Sequence, residues 1–359
     1  MKLKLDRKKT YAIALQGGGA KGGFEVGVWM ALDEAGIRYN AVSGTSVGAL
    51  IGALMTTGEL ETAKRVWEDM SMDKVLYVEP EYRESLRAMV SKRFGLDDLR
   101  EFAPGLKQIA KSGGLDISPL RKLIGELADP AAIKSSGVEL YVTTMDLSEM
   151  QGLTVRVNDL PDESVCDMLL ASAYHPSFRQ EPIGGKYYTD GGFVDALPIA
   201  PLVENGYRDI IAVMIPGLGN SRSYEKPEGL KITFIEPRHD LGGTLNFDAE
   251  QGRRDMRIGY LDACRVLYGL KGKKYYVDKT LKESEALTVL ANYYARTRRR
   301  SKLRHILEFV IPTEAIRLGV PAGNYYDILT ALCESLAEDK GMEQLKLYTD
   351  TDFIREAMS

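Results

Sequence analysis

Short apolar runs alternate with longer amphipathic segments in the N-terminal part of the chain. Their lengths and spacing predict, in order, a strand, a helix, a second strand and a second helix at Tyr11–Leu15, Phe24–Ala35, Tyr39–Ser43 and Val47–Thr57. Strands that alternate with helices build parallel sheets whose two faces are covered by the helices. The pattern therefore predicts a three-layer α/β/α fold with a mainly parallel central sheet.

The rest of the chain continues this pattern and then changes to helix. A further helix and three strands are predicted at Ser164–Ala173, Val138–Thr144, Lys186–Thr189 and Asp209–Met214. Residues 58–135 have charged helical faces broken by prolines and a glycine pair, which predicts a helical insertion or cap over one face of the sheet. We expect one domain over residues 1–275, which ends with a short strand at Lys271–Tyr276. A helical C-terminal region should follow over residues 276–359, with no strand after residue 280.

The composition is that of an ordinary globular protein. Apolar residues make up 44% and charged residues 27% of the chain, which is enough to build a sizeable core. A net charge of −4 argues against nucleic-acid binding. The longest small-apolar run, Ala41–Met55, is shorter than the roughly 20 residues of a membrane-spanning helix. The cysteines are widely spaced, which predicts free thiols in the reducing cytoplasm rather than disulfides at Cys166, Cys264 and Cys333.

A serine stands at the junction of the second predicted strand and the second predicted helix. It lies in Gly44-Thr45-Ser46-Val47-Gly48, which has the G-x-S-x-G form of a nucleophile elbow. The two glycines lack the side chains that would collide in such a sharp turn. The helix that follows directs the positive end of its dipole at the serine. Taken alone, the motif also fits an ordinary serine at the start of a glycine-rich helix.

A glycine-rich loop, Gly17–Gly23, lies one strand earlier. Because it follows a predicted strand and opens a helix, its amide groups are free to bind an anion. It also fits the dinucleotide fingerprint G-x-G-x-x-G, but a dinucleotide site needs an acidic residue at the end of the next strand. The chain has the Ser46 motif at that place, which favours an oxyanion loop. The alternative is a nucleotide- or phosphate-binding module that uses Gly17–Gly22 without hydrolysis.

The group that would deprotonate Ser46 has two candidates. Surface or helix positions are expected for the three histidines, His175, His239 and His305. The order Ser46, Asp190, His239 formally fits an α/β-hydrolase triad, but that fold has no glycine-rich loop at this place before its elbow. Asp190 precedes Gly191-Gly192 at the end of a predicted strand, where a turn would expose its carboxylate. We favour Asp190 as the base, and an ordinary Asp-Gly turn is the alternative.

Three ordered motifs resemble those of the patatin-like phospholipases, which are serine–aspartate lipid acyl hydrolases. The run Ala14–Gly22 is similar to their glycine-rich oxyanion motif, Val42–Ala49 to their nucleophile elbow, and Tyr188–Asp195 to the block that carries their acid. The stretch Ala171–Pro176 resembles the helix-to-turn segment before that block. The resemblance covers roughly residues 10–215.

The resemblance implies a role for each motif. Ser46 would be the nucleophile and Asp190 the general base of a dyad. The oxyanion hole would be built by Gly17, Gly18, Gly19 and Val47. The turns that hold the dyad would be supported by Gly44, Gly48, Gly191 and Gly192. The implied substrate is a lipid ester, cleaved by a phospholipase A or lysophospholipase type of reaction without a cofactor.

Other charged residues have simpler interpretations. Asp146 and Asp195 are expected to be structural. The dense basic run Arg296–Arg304 is typical of a solvated helix face, and its functional alternative is peripheral contact with an anionic membrane surface. No spacing of His, Cys, Asp or Glu fits a metal site. The sequence does not indicate the oligomeric state, the lipid headgroup or the acyl chain.

Overall fold

The computed structural model describes residues 1–80, 83, 113–216, 219–298 and 301–359. These residues form two compact units, one of Leu5–Ala263 and one of Met1–Lys4 with Cys264–Ser359. The first unit contains the glycine-rich loop, the serine motif and the aspartate block.

The first unit is built around a mixed sheet that is mostly parallel. Its strands are β1 (Thr10–Leu15), β2 (Arg38–Thr45), β3 (Glu139–Asp146), β4 (Gln151–Arg156), β5 (Tyr188–Asp190), β6 (Asp209–Val213) and β7 (Lys231–Ile235). In the described part of the chain they form one sheet in the order β4–β3–β2–β1–β6–β7, and β5 is also paired to β3. The strands from β3 to β7 in that order are parallel, whereas β4 and β5 run antiparallel to β3. This sheet confirms the predicted fold class.

The register along β3 brings two distant segments together. β2 pairs with β3 as far as Thr45, which lies opposite Thr143. β5 pairs with the following part of β3, so that Asp190 lies opposite Thr144. Because β4 occupies the other edge of β3 at these residues, β5 must continue the edge where β2 ends. The residue after Thr45 and the carboxylate of Asp190 therefore come close in space.

Helices cover both faces of this sheet. The unit contains α1 (Gly23–Glu34), α2 (Val47–Thr57), α3 (Leu60–Glu68), α4 (Ser118–Leu127), α5 (Pro130–Ser135), α6 (Asp162–Ser172), α7 (Gly192–Asp195), α8 (Ala200–Glu204) and the first part of α9 (Ala249–Tyr268). On one face, Ala12 and Ala14 of β1 pack with Leu202 of α8. On the other face, Leu15 of β1 approaches Gly52 of α2. Successive residues of a strand buried on both faces point to opposite layers, which gives the three-layer arrangement.

The second unit is helical apart from two short strands. Its helices are the last part of α9, then α10 (Glu283–Thr297), α11 (Leu303–His305), α12 (Ile311–Leu318), α13 (Tyr325–Asp339) and α14 (Asp350–Met358), with a π-helical turn at Ile306–Val310. The strands β8 (Tyr276–Asp278) and β9 (Leu347–Thr349) pair in parallel. The prediction that no strand follows residue 280 is therefore wrong. The strand predicted at Lys271–Tyr276 begins only at its last residue.

The insertion predicted at residues 58–135 is described in part. Its described segments include α3, α4 and α5, and α4 begins at Ser118 with Pro119 in its first turn. Residues 81, 82 and 84–112 lie outside the described residues. In the part of the chain that the structure describes, no helix combines the length and the apolar character needed to cross a bilayer.

Candidate active site

Ser46 occupies the sharp turn between β2 and α2. Its backbone angles are φ 56° and ψ −126°, in a region that residues with a side chain rarely adopt. Glycines on either side make the turn sterically accessible. A Cβ atom on Gly44 would lie 2.3 Å from the carbonyl oxygen of Gly48, and one on Gly48 would lie 2.7 Å from that of Leu15. The G-x-S-x-G motif thus forms a strained turn with Ser46 at its apex.

The glycine-rich loop lies directly against this serine. A Cβ atom on Gly17 would be 2.9 Å from the Cβ atom of Ser46. The amide of Gly17 donates to the carbonyl oxygen of Ala196 at 3.1 Å and is therefore not free. The prediction that Gly17 is one of the four oxyanion donors is wrong. The amides of Gly18 and Gly19 have no acceptor among the described residues and stand at the start of the 3-10 turn that leads into α1. Free amides at such a place form an anion-binding position.

Asp190 lies at the end of β5 beside Ser46. Both side chains line the same cavity, and the amide of Gly192 donates to Oδ1 of Asp190 at 2.8 Å. The amide of Asp190 donates to the carbonyl oxygen of Tyr174 at 2.9 Å, which fixes the backbone. Burial raises the pKa of Asp190, while Ser46, Gly192 and nearby His175 oppose that shift. The carboxylate is therefore a stronger base than an exposed aspartate.

The other predicted turn and oxyanion residues are close to this pair. A Cβ atom on Gly191 would lie 2.1 Å from the carbonyl oxygen of Thr143, so the chain passes β3 at a distance that only glycine permits. Gly192 begins α7 and donates its amide to Asp190, as described above. Val47 is the first residue of α2 and lines the same cavity as Ser46. Its amide has no acceptor among the described residues.

Ser172, at the end of α6, is a site residue that sequence reasoning missed. Its hydroxyl donates to the carbonyl oxygen of Thr143 at 2.6 Å and accepts the amide of Ser46 at 2.9 Å. One buried hydroxyl thus ties the serine turn to β3. The stretch Ala171–Pro176, which resembles a segment of the patatin-like phospholipases, is the signal that could have found Ser172. Nothing in that stretch indicates that Ser172 holds the backbone of Ser46.

His175 lines the cavity together with Ser46 and Asp190, so the prediction of a surface or helix position is wrong for this histidine. Its Nδ1 atom accepts the amide of Ser177 at 3.2 Å and lies 2.8 Å from the Ser177 hydroxyl. Because Nδ1 accepts a backbone N–H, the neutral ring carries its proton on Nε2. Burial lowers the pKa of His175, and the charge of Asp190 opposes that shift. His239 is not among the described residues that line the cavity.

The cavity has a volume of about 690 Å³ and is mostly apolar. Leu50 and Leu54 follow Ser46 along α2 at four-residue spacing, so the apolar wall continues for about two helical turns from the serine. We call the apolar arm the wall formed by Leu50, Ile51, Ala53, Leu54, Val66, Trp67, Met70, Val75, Leu120, Leu123, Ile124 and Leu127. Many of these residues belong to α3 and α4, which lie within residues 58–135. No Lys or Arg is among the described lining residues.

Two further carboxylates hold the surrounding backbone. Asp146 accepts the amide of Ser148 at 2.8 Å and pairs with Lys186 at 2.9 Å. Asp195 is buried, and its Oδ1 atom accepts the amide of Arg222 at 3.2 Å. Burial raises the pKa of Asp195 to about 6. Neither residue lines the cavity where the structure describes it, and these contacts agree with the structural roles expected for both.

Metal ligation has no candidate in this part of the molecule. Across the described ranges, no three His, Cys, Asp or Glu side chains come close enough to hold a metal ion. Within the basic run Arg296–Arg304, residues 299 and 300 lie outside the described residues, and the others belong to the second unit.

Comparison with known proteins identifies the family. The sequence profile described as Patatin-like phospholipase matches residues 13–203, more than half of the chain, and this range contains both Ser46 and Asp190. The chain belongs to the patatin-like phospholipase family. The match confirms the resemblance carried by the three sequence motifs.

Two of the relatives of this chain are much longer proteins. A patatin-like phospholipase domain-containing protein of Caenorhabditis elegans is 26% identical over 268 residues, which are 73% of this chain and 18% of the relative. The lysophospholipase NTE1 of Cryptococcus neoformans is 27% identical over 213 residues, 56% of this chain and 11% of the relative. This chain thus spans less than a fifth of either relative. The crystal structure of VipD from Legionella pneumophila has a TM-score of 0.44 and 16% identity, and the match covers 97% of this chain and 82% of VipD.

Proposed function

We propose that this chain hydrolyses carboxylic esters of lipids, with Ser46 as nucleophile and Asp190 as general base. The observation that carries the proposal is the meeting of Ser46, Asp190 and free backbone amides in a cavity whose wall is mostly apolar. A nucleophile, a base and an anion site in one place are the parts that acyl transfer needs. The apolar arm adds a site for the acyl chain of a lipid.

In the first half of the proposed reaction, the Ser46 oxygen attacks the carbonyl carbon of the ester. Asp190 accepts the hydroxyl proton as the new C–O bond forms and the carbonyl oxygen becomes an oxyanion. The amides of Gly18, Gly19 and Val47 are the proposed donors to that oxyanion. When the tetrahedral intermediate collapses, the bond to the alcohol breaks and Asp190 gives its proton to the leaving alkoxide. An acyl group remains on Ser46.

In the second half, a water molecule replaces the alcohol. Asp190 removes a proton from this water while its oxygen attacks the acyl carbon, and the same amides hold the second oxyanion. The bond to Ser46 then breaks, Asp190 returns the proton to the serine oxygen, and the fatty acid is released. The dyad ends in the protonation state in which it began.

Two features of the site suit this chemistry, the raised pKa of Asp190 and a hydrogen bond that holds Ser46. Burial raises the pKa of Asp190, which brings its basicity closer to what proton transfer near neutral pH requires. The hydrogen bond from the Ser46 amide to the Ser172 hydroxyl holds the nucleophile in its turn. The name of the Cryptococcus relative, a lysophospholipase, supports a lipid ester as the substrate class.

A nucleotide- or phosphate-binding module is the alternative use of the Gly17–Gly22 loop. Phosphate sites combine backbone amides with cationic side chains. No Lys or Arg is among the described residues that line the cavity, and the loop lies against Ser46. Both observations favour ester hydrolysis.

Labelling with a fluorophosphonate probe tests the proposal. We expect covalent modification of the full chain at Ser46, located by peptide mass spectrometry, and none of the Ser46→Ala variant. A lipid ester should compete with the probe, whereas ATP should not. If the folded wild-type protein resists the probe, or if the probe reacts equally with Ser46→Ala, the proposed nucleophile is wrong.

A further inference from the structure

The helical segment 303–318 of the second unit is apolar on two faces. On its inner face, Ile306, Val310, Ile311 and Ala315 are buried in the core of that unit. Its outer side chains are exposed to solvent: Leu303 by 60%, Leu307 by 38%, Phe309 by 59% and Ile316 by 79%. Because the inner face already buries one set of apolar side chains, these outer apolar side chains lack a partner within the described residues.

These residues stand out from the rest of the surface. The described part of the chain exposes ten large apolar side chains, and four of them fall in this one segment. The π-helical turn at Ile306–Val310 adds a residue to the helix, so that positions 306, 310, 311 and 315 all reach the core. That spacing leaves Phe309 on the outside, where its ring stacks on His305 at a centroid distance of 5.3 Å. An exposed apolar cluster of this kind marks an interaction surface.

The charged side chains of this segment and of the residues just before it in the chain are mainly positive. Arg296, Lys302, Arg304 and Arg317 are all exposed, and Arg296 and Lys302 form no ion pair with any residue that the structure describes. The acidic residues are Glu308, which pairs with Arg304 at 2.9 Å, and Glu314, whose side chain is only 13% exposed. The outward charge is therefore basic, in a protein whose net charge is −4.

We propose that this surface, formed by Leu303, Leu307, Phe309 and Ile316 with the basic side chains beside them, docks on an anionic lipid bilayer. Leucine, phenylalanine and isoleucine side chains insert among the acyl chains near the headgroups, and lysine and arginine bind the anionic headgroups. The surface belongs to the second unit and contains no residue of the proposed dyad, so the proposal goes beyond ester hydrolysis and can fail independently of it.

A second copy of this chain fits the surface less well. A two-fold dimer brings the same patch of both copies together, so each basic side chain would face basic side chains of the other copy. Like charges held close across an interface oppose association. An anionic bilayer offers an apolar interior for the exposed apolar side chains and negative headgroups for the basic side chains. We therefore choose it as the partner of this surface.

Vesicle co-sedimentation tests the proposal. The protein is the full chain with Ser46→Ala, which under the proposed function leaves the vesicles intact. We expect it to bind phosphatidylcholine vesicles that contain phosphatidylserine and to bind pure phosphatidylcholine vesicles at least about tenfold more weakly, because several basic residues contribute. Adding Phe309→Ser and Ile316→Ser should lower the partition coefficient on anionic vesicles about tenfold or more. The matched control is Met150→Ser, a residue that is 73% exposed in the first unit, and it should change nothing.

A charge variant separates the two contributions. Arg296→Gln with Lys302→Gln leaves no acidic partner of the described residues unpaired, and should weaken binding to anionic vesicles about tenfold while binding to neutral vesicles stays the same. Thermal melting checks that each variant is folded. No binding to anionic vesicles, or binding that is unchanged in the folded Phe309→Ser, Ile316→Ser variant, overturns the proposal. A dimer in sedimentation velocity that this same variant abolishes would assign the surface to a second copy instead.

Discussion

Around Ser46 the wall of the cavity consists of constrained backbone, whereas farther along α2 it consists of side chains on ordinary helices. At the first place, glycines pass each other at distances that no Cβ atom allows, and Ser46 has a positive φ of 56°. A half-buried carboxylate lies there as well. In the apolar arm, leucines, isoleucines and a tryptophan project from α2, α3 and α4 into a shared space.

The difference separates what the proposed chemistry needs from what stability needs. Positive φ on a residue with a side chain and a half-buried carboxylate each cost folding free energy. Apolar side chains gathered around a shared cavity stabilise the fold through the surface that they bury. We therefore expect variants at the reactive end to change rate far more than stability, and variants in the arm to change substrate preference.

The largest effect is expected for Ser46→Ala. Esterase activity should fall by about 10³-fold or more, because the variant lacks the atom that attacks the carbonyl carbon. The melting temperature should stay close to that of the wild type, since alanine occupies the same strained turn. Turnover of a short-chain p-nitrophenyl ester measures the rate. A folded Ser46→Ala variant with near-normal turnover would contradict the proposed mechanism.

The next effect is expected for Asp190→Asn, which removes the proton acceptor but keeps the shape. Activity should fall by at least about 10²-fold. In the wild type, kcat/KM should rise with pH through a single ionisation, because only the unprotonated carboxylate is a base. Since burial raises the pKa of Asp190, that rise should occur at a higher pH than for an exposed aspartate.

Two controls accompany Asp190→Asn. Asp195→Asn removes a buried carboxylate that does not line the cavity where the structure describes it, and should cost much less activity. A carboxyl whose pKa is raised by folding stabilises the fold below its unfolded-state pKa, and that contribution is lost as the pH rises. The free energy of unfolding of Asp190→Asn should therefore improve relative to wild type from acid to neutral pH. Denaturant titrations of wild type and Asp190→Asn at several pH values measure this change in the free energy of unfolding. If Asp195→Asn loses more activity than Asp190→Asn, Asp190 is not the general base.

A smaller and selective effect is expected for Ala53→Leu. Ala53 lies seven residues after Ser46 on α2, which is about 10 Å along the helix axis, and it lines the apolar arm. Added bulk there should lower kcat/KM for long-chain esters about tenfold, and the butyryl ester should lose less than twofold. The chain-length profile of wild type and variant measures the effect. Equal losses on short and long esters would argue against an acyl chain in the arm.

The smallest effect concerns stability alone. Both Ser46→Ala and Ser46→Gly remove the hydroxyl, but glycine adopts a positive φ without strain. Ser46→Gly should therefore be more stable than Ser46→Ala by about 1 kcal/mol in denaturant titrations. Equal free energies of unfolding for the two variants would mean that the Ser46 turn holds little strain. The reactive end of the cavity would then not differ from the apolar arm in backbone strain.

The motifs of the site could be predicted because they are local. A serine turn requires glycines at fixed offsets from Ser46, and an aspartate that ends a strand before two glycines is visible within a few residues. Four of the parallel strands were equally accessible, because the apolar runs of β1, β2, β3 and β6 are buried. These features follow from sterics and from burial of neighbouring residues. The parallel strand β7 was not predicted, and most of its residues are exposed or half-buried.

Contacts between distant segments could not be predicted in this way. The hydroxyl of Ser172 reaches the amide of Ser46 across 126 positions of sequence. The amide of Gly17 is used by Ala196, and nothing in the glycine-rich loop indicates this partner. β4 escaped notice because its residues are exposed or half-exposed and form no apolar run. β9 has three residues and pairs with β8 across a long stretch of helix.

The burial of Asp190 has a consequence for how a catalytic cycle would end. The ester substrate is neutral at its reacting carbon, whereas the fatty acid product becomes a carboxylate at the same place once it has lost its acid proton to water. Two carboxylates held close together in a poorly hydrated site repel each other strongly. Under the proposed function, the arm would bind the hydrocarbon chain before and after hydrolysis alike, so it would offer no reason for the product to leave. Repulsion from Asp190 supplies that reason, and the residue that starts each turnover would also clear the site for the next one.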